Sequence, residues 1–537
     1  MMKSTPTTIS SILIFILCTK SVAVLGAKKC RTFDIQRIVC SEVEELQQLA
    51  DELRPNWQHL AVRNVQRSSF ALAGQNIRFL NVIERLDLSQ GGRLELSDHG
   101  FKEFSSLQHL NISSCQLEEL RRSYFESSVG LVLLDASWNE LRVLSSDVLA
   151  HLVNLRHANF SHNSLQSVQH GALEALSSLE QLDLSNNELK TVDFGGCTQL
   201  QYLSLSDNQI DVLASQNFRE MPALEHLDIS SGSLRKIEDR AFEGLNNLRL
   251  LNLSGNSLVT LTSNIFEGLQ NSGLLALDLS LNDIKRLPAL VFQHLPRLQV
   301  IDISRNQVKR LVRDTFRGAP ALRKVFLSDN DISELDDDVF AGLSSLDTLD
   351  LSRNNIVTLD GGAFGDATLP KLRKLWLNSN NLQQLHALSF SSLPYLEYLS
   401  LGNNALSTLD VRMFAPMRFL QKLHLGHNQL EEFPRDVLEA LNNISELLMD
   451  HNKFSFLPDV DASFPRLVKV SLEGNPWQCP CLNAFQEWLD LKGVLYVRPN
   501  SPYFAGQKPL CVVTPVEACV KDLGLVRKHG VANIYES

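Results

Sequence analysis

Apolar runs of membrane length are missing from this chain. The run Ile12 to Cys18, followed closely by Lys20, falls far short of the roughly 20 residues that cross a bilayer. The residues after Cys519 hold no such run, and no hydrophobic tail of the kind that directs a lipid anchor. The expectation is a chain without a membrane span. A basic excess is missing too: the net charge is −11. Nucleic-acid binders carry basic stripes, so no nucleic-acid partner is expected. Catalytic signatures are also missing. No G-x-S-x-G, Walker A loop, G-x-G-x-x-G or H-E-x-x-H occurs. No active site, cofactor or metal is therefore assigned. His424 and His427 read as solvated strand-end side chains, and Asp336, Asp337 and Asp338 as a solvated outer loop.

What the chain has instead is one phrase, repeated. Leu420, Leu423, Leu425, Asn428 and Leu430 spell L-x-x-L-x-L-x-x-N-x-L. The phrase recurs from about Ile83 to Asn475. Its marker is Asn in fourteen units and Gly91, Cys115 or Gly232 in three more. Most units are 24 residues apart. A chain of 537 residues ordinarily divides into several domains. A repeat of this kind overrides that arithmetic, because a solenoid grows without splitting.

The leucines alternate at period two, which is strand spacing with one face buried. The marker Asn follows in a sharp turn, where its amide can bond backbone groups of its own and neighbouring units. Cys115 reads as a buried, inert replacement in that slot. A column of phenylalanines from Phe101 to Phe414 stands six or eight residues before each following unit, with Leu149, Leu173 and Leu438 substituting. Such a column predicts an aromatic spine between two walls. Seventeen strands spaced at about 4.8 Å give an inner wall of roughly 80 Å.

The ends read differently. Residues 1–27 have the pattern of a secretory signal peptide: Lys3, the apolar run to Cys18, and small residues near Ala23, Gly26 and Ala27. In an oxidising compartment Cys30 and Cys40 are most simply a disulfide. It would staple an N-terminal cap over residues 28–56, a hairpin extended by the helically spaced Glu42–Arg54. Residues 57–82, with Trp57, Leu60, Val62 and Val65, look like a degenerate starting unit. At the far end, Cys479 and Cys481 lead into an expected helix over Leu482–Gly493, with Cys511 and Cys519 beyond. Four cysteines allow three connectivities. Cys115 and Cys197 lie too far apart to pair.

Taken together, the phrase and the flanking cysteines resemble the extracellular, 24-residue class of leucine-rich repeat proteins. The resemblance implies an α/β solenoid: a curved horseshoe with a parallel β-sheet on the concave face and irregular or short helical segments outside. It implies a repeat region over 57–475 with about 17–18 repeats, a cysteine-rich C-terminal cap over 476–520 and a tail over 521–537. Within that cap it implies the pairs Cys479–Cys511 and Cys481–Cys519. One departure stands out. N-terminal caps of this family often carry four cysteines, and this one has two. Family members are non-enzymatic recognition proteins, and no cofactor is implied.

Sequons at Asn111, Asn159, Asn252 and Asn443 are candidate glycosylation sites. The first three share the slot between the second and third leucines, which is expected to point from the inner wall into solvent. That slot runs polar and acidic from Asp87 to Asp302, and changes from Phe326 onward. Aromatics and long cations collect there. Lys324, Phe326, Lys374, Trp376, Tyr398, Lys422 and His424 are the expected partner-binding patch, since exposed aromatics beside Lys are anchor types of interfaces. The reading is a secreted, extracellular protein that binds an extracellular or cell-surface protein ligand in recognition, adhesion or signalling. It could pair into homo- or hetero-oligomers. Two alternatives are an innate-immune factor binding microbial ligands and a soluble decoy form of a receptor.

Overall fold

A computed structural model shows how the phrase folds. It describes residues 30–521, apart from 42, 44, 64–69, 73–76, 90–91, 192–196, 365–368, 458–463, 497–510, 515–517 and 520, and also residues 534 and 535. The expected signal peptide over 1–27, Val65, Gly91 and most of the tail lie outside the described residues.

Each unit contributes a three-residue strand, x-L-x, to a single 21-stranded sheet. From His59–Arg63 to Lys469–Ser471 every neighbour is parallel, and the register advances unit by unit, so Leu399 pairs Leu423 and Leu423 pairs Leu447. His59–Arg63 fills the place of the degenerate starting unit, with Leu60 and Val62 buried. The outer side is irregular. It carries short parallel pairs, such as Val143–Leu144 with Ser167–Val168, and single helical turns at Arg122–Phe125 and Val411–Phe414. The result is a curved parallel solenoid with few helices.

Three columns hold it together. The leucines form a continuous core. The marker asparagines form a buried ladder: the amide of Asn330 donates to the carbonyls of Ile303, Leu327 and Ser328 and accepts from the Val308 N–H. The same set recurs at nearly every marker, and it satisfies the turn groups that stacking would otherwise bury unpaired. Cys115 imitates the amide, its thiol 3.2 Å from the Leu88 carbonyl and 3.3 Å from that of Ser113. The third column is the phenylalanine spine. From Phe218 to Phe364 the buried rings stack 5.8–6.3 Å apart, within the range aromatic pairs prefer.

The ends are closed. The hairpin Cys30–Thr32/Arg37–Ser41 is joined by the disulfide Cys30–Cys40 and adds in parallel to His59–Arg63. The helix expected over Glu42–Arg54 is shorter: among the described residues of that stretch only Leu46–Leu49 forms a 3-10 turn, and it buries Leu46 and Leu49. At the other end the helix spans Cys479–Lys492, with Gly493 in the left-handed conformation that ends it. It starts earlier than expected because Pro480 is tolerated in a first helical turn. Disulfides join Cys479 to Cys511 and Cys481 to Cys519. A second aromatic series, Phe433, Phe454, Trp477 and Phe485, carries the core into this cap. No helix among the described residues is long and apolar enough to cross a membrane.

Candidate functional site on the inner wall

The polar slot of the wall turns out to have a folding role. Asp183 Oδ1 accepts the Ser185 N–H at 2.9 Å, and Asp228, Asp278, Asp302 and Asp350 do the same for the serine two residues on. Each carboxylate caps the turn that leaves its strand. Burial raises the pKa of Asp135 and Asp278, opposed by the hydrogen bonds from Ser137 and Ser280. Asn111, Asn159 and Asn252 cap through Oδ1 in the same way. They are half-buried, with Oδ1 bonded into their own turn. Asn443 sits elsewhere, at the entry to a strand. Its Nδ2, the nitrogen that would carry a glycan, donates to the Arg418 carbonyl.

From Phe326 on, several units abandon the cap and present rings. Trp376 and Tyr398, on adjacent strands, lie with ring centroids 5.0 Å apart. Tyr398 meets His424 edge to face at 4.9 Å, and its hydroxyl lies 3.0 Å from His424 Nδ1. His424 Nε2 lies 3.3 Å from Glu446 Oε1. Glu446, buried to 8% exposure, also receives Lys469 at 2.6 Å and Lys422 at 3.3 Å. His424 is thus not a solvated strand-end histidine. It is packed and bonded on both ring nitrogens. Burial lowers its pKa, against the pull of Glu446. Burial likewise raises that of the Tyr398 phenol.

Of the seven residues singled out in the sequence, Trp376, Tyr398, Lys422 and His424 form one connected cluster, with Lys374 exposed beside Tyr398 in register. Lys324 and Phe326 stand apart. Thr348–Asp350 separates them from Lys374–Trp376, a gap of about 10 Å at the usual strand spacing. The hub of the cluster, Glu446, is absent from the sequence reading. So is a second surface on the flank where chain enters the strands: exposed Tyr395 and Phe419 stack at 5.4 Å, next to a shallow groove lined by Arg418, Asn443 and Arg466. His424 and His427 make no contact with each other among the bonds described. Asp336 and Asp338 are not merely solvated: they pair with Arg310 and Arg313.

Models of the family described as "Leucine rich repeat" match seven segments, 139–189, 154–210, 190–232, 222–276, 272–332, 320–369 and 370–430. Together they span 139–430, more than half of the chain. The chain is a leucine-rich repeat protein. No curated protein matches the sequence. Among solved structures, this leucine-rich repeat chain is similar to a leucine-rich repeat protein of Leptospira interrogans, at 24% identity and TM-score 0.57 over 85% of this chain and 99% of that one. It is similar to the leucine-rich repeat domain of APL1, at 19% identity and TM-score 0.51, covering 76% and 94%. It is also similar to a chain of the Drosophila Toll–Spatzle complex, at 20% and 0.50, covering 81% and 77%. At these identities the likeness is one of fold. A leucine-rich repeat solenoid is typically a non-enzymatic interaction scaffold, and on this wall chemistry takes the form of a surface: rings in a row, cations at the rim, one buried carboxylate tying them.

Proposed function

We propose that this leucine-rich repeat protein is secreted, is not an enzyme, and binds a protein partner through the C-terminal third of its inner wall. The single observation that carries the reading is the contiguous row Trp376–Tyr398–His424, held by Glu446 and edged by Lys374 and Lys422. In most other units the slot of Trp376 and His424 is spent on turn caps, while Tyr398 stands two positions earlier, in the slot of Lys374 and Lys422. Here the fold forgoes the cap and offers rigid aromatic surface, the residue class that dominates interface energetics. The leader pattern of 1–27, three disulfides and four sequons support an oxidising, extracellular setting. In the Drosophila Toll–Spatzle complex, a solenoid of similar fold meets a protein.

The acidic balance of this chain favours a protein over a nucleic acid. The test is binding of the secreted chain to a panel of extracellular protein domains, with single-stranded RNA as a comparison. Saturable, submicromolar binding to a protein domain is the expected result. Tighter, salt-sensitive binding to RNA would overturn the choice of partner.

A further inference from the structure

Two turns at the C-terminal end of the solenoid bring three metal-type ligands together. His427 and His451 occupy the same place in successive units, the residue before the marker Asn, and their rings stack in parallel at 4.2 Å. Asp450 lies between the functional ends of the two rings. Its Oδ2 is 3.6 Å from His427 Nε2 and 3.2 Å from His451 Nδ1. In a tetrahedral zinc site, bonds of about 2.0–2.1 Å separate ligand atoms by about 3.3 Å. The two separations bracket that value, and rotation of the stacked rings about their side-chain torsions would turn both lone pairs towards one ion.

The surroundings fit the same use. Asp450 keeps Oδ1 for the Ser471 hydroxyl at 2.5 Å, so one oxygen is fixed and the other is left for a ligand role. Gly426 lies against this carboxylate: a Cβ there would come within 2.8 Å of Oδ1. The units from Ser89 to Ser352 place serine in the position of Gly426, and the last five vary, with Asn378, Gly402, Gly426, Asp450 and Glu473. One strand further along the same column, Glu473 is buried, and neither of its carboxylate oxygens has a hydrogen-bond partner among the described residues. His427 is exposed, so the fourth direction faces solvent.

We propose that His427, Asp450 and His451 form a binding site for a divalent transition metal of the zinc class, with an open position towards solvent. Two imidazoles and a carboxylate suit zinc over the hard cations, which take oxygen ligands. The site lies three residues beyond His424 and is separate from the aromatic row, so it stands whether or not that row binds a partner.

The decisive variant carries His427→Asn and His451→Asn. Both positions are left-handed, at φ 58° and 52°, and Asn holds the equivalent place at Asn186 and Asn403 with φ 55° and 54°. The fold tolerates that exchange. The full secreted chain, without a histidine tag, is stripped with chelator and titrated with Zn2+ by calorimetry and with Co2+ by visible absorption. Thermal melting in chelator establishes that both proteins are folded. The expected result is one metal per chain, the intense visible bands of four-coordinate cobalt, and a loss of at least roughly 100-fold in affinity in the double variant. Absence of micromolar binding by the wild type, or equal binding by the double variant, would overturn the site.

Discussion

The Tyr398 hydroxyl lies 3.0 Å from His424 Nδ1, across two neighbouring strands of the inner wall. His424 passes the contact on to Glu446, and Glu446 gathers Lys422 and Lys469. One hydrogen-bonded chain therefore fixes the orientation of the aromatic row. A surface whose side chains are already ordered loses less entropy when a partner docks.

That arrangement sets a pH dependence. Burial lowers the pKa of His424, and burial likewise lowers those of His59, His109, His226 and His427. In the unfolded chain these imidazoles titrate near 6.5. Below that value the unfolded state binds more protons than the folded one, so stability is full above about pH 6.5 and falls as the solution is acidified. Melting temperatures measured from pH 7.5 to pH 5 should decline, and His424→Gln should flatten part of the decline. An unchanged slope in the variant would remove His424 from the account.

The asparagine ladder makes a sharper claim. Asn330→Ala leaves the Val308 N–H without its acceptor and takes one of two donors from each of the carbonyls of Ile303, Leu327 and Ser328, which keep the Asn306 amide, the Asn354 amide and the Arg305 N–H. Unmade buried hydrogen bonds of this kind cost about 1–3 kcal/mol each in the unfavourable case, and relaxation lowers the total, so a loss of about 2–4 kcal/mol is expected. Asn330→Cys should lose less, because the thiol of Cys115 already serves two carbonyls at an equivalent site. Chemical denaturation of the two variants side by side gives the comparison. Equal losses would mean that volume, not hydrogen bonding, governs the slot.

At the C-terminal end, Cys481→Ser opens the Cys481–Cys519 bridge. The expected loss is about 2–5 kcal/mol, accompanied by faster hydrogen exchange around Trp477 and Phe454, whose rings stack at 6.0 Å beneath the cap. Protection unchanged there, with an unchanged melting curve, would contradict the capping role.

Much of this fold is legible in the sequence because one residue type serves one purpose at a fixed period. Leu423, Asn428 and Phe316 each belong to a column, and a column announces itself. The strand register, the ladder and the spine follow from it. The site is less legible. Trp376, Tyr398 and His424 stand out only as departures from a column. Glu446 does not stand out at all, because its slot varies from Arg85 to Leu250 to Lys469 along the wall, and its importance comes from what lies across two strands. The Asp column misleads in the opposite sense: Asp228 looks like surface charge, while its Oδ1 is spent on the Ser230 N–H. Tyr395 and Phe419 precede the first leucine of their units, a position the repeat leaves free, so no pattern marks them. His427, Asp450 and His451 meet only once two turns are stacked.

The most direct test of the central claim is the dissociation constant of a protein partner, found by the panel above, for the wild type and for Trp376→Ala/Tyr398→Ala. A matched control replaces Trp138, exposed on the N-terminal half, by Ala. Loss of two anchor rings at an interface centre is expected to cost at least about 2 kcal/mol, roughly 30-fold in affinity, with melting temperature held and the Trp138 variant binding as wild type. Unaltered affinity in the double variant, or an equal loss in the Trp138 control, would contradict the assignment of the partner surface to the C-terminal third of the wall.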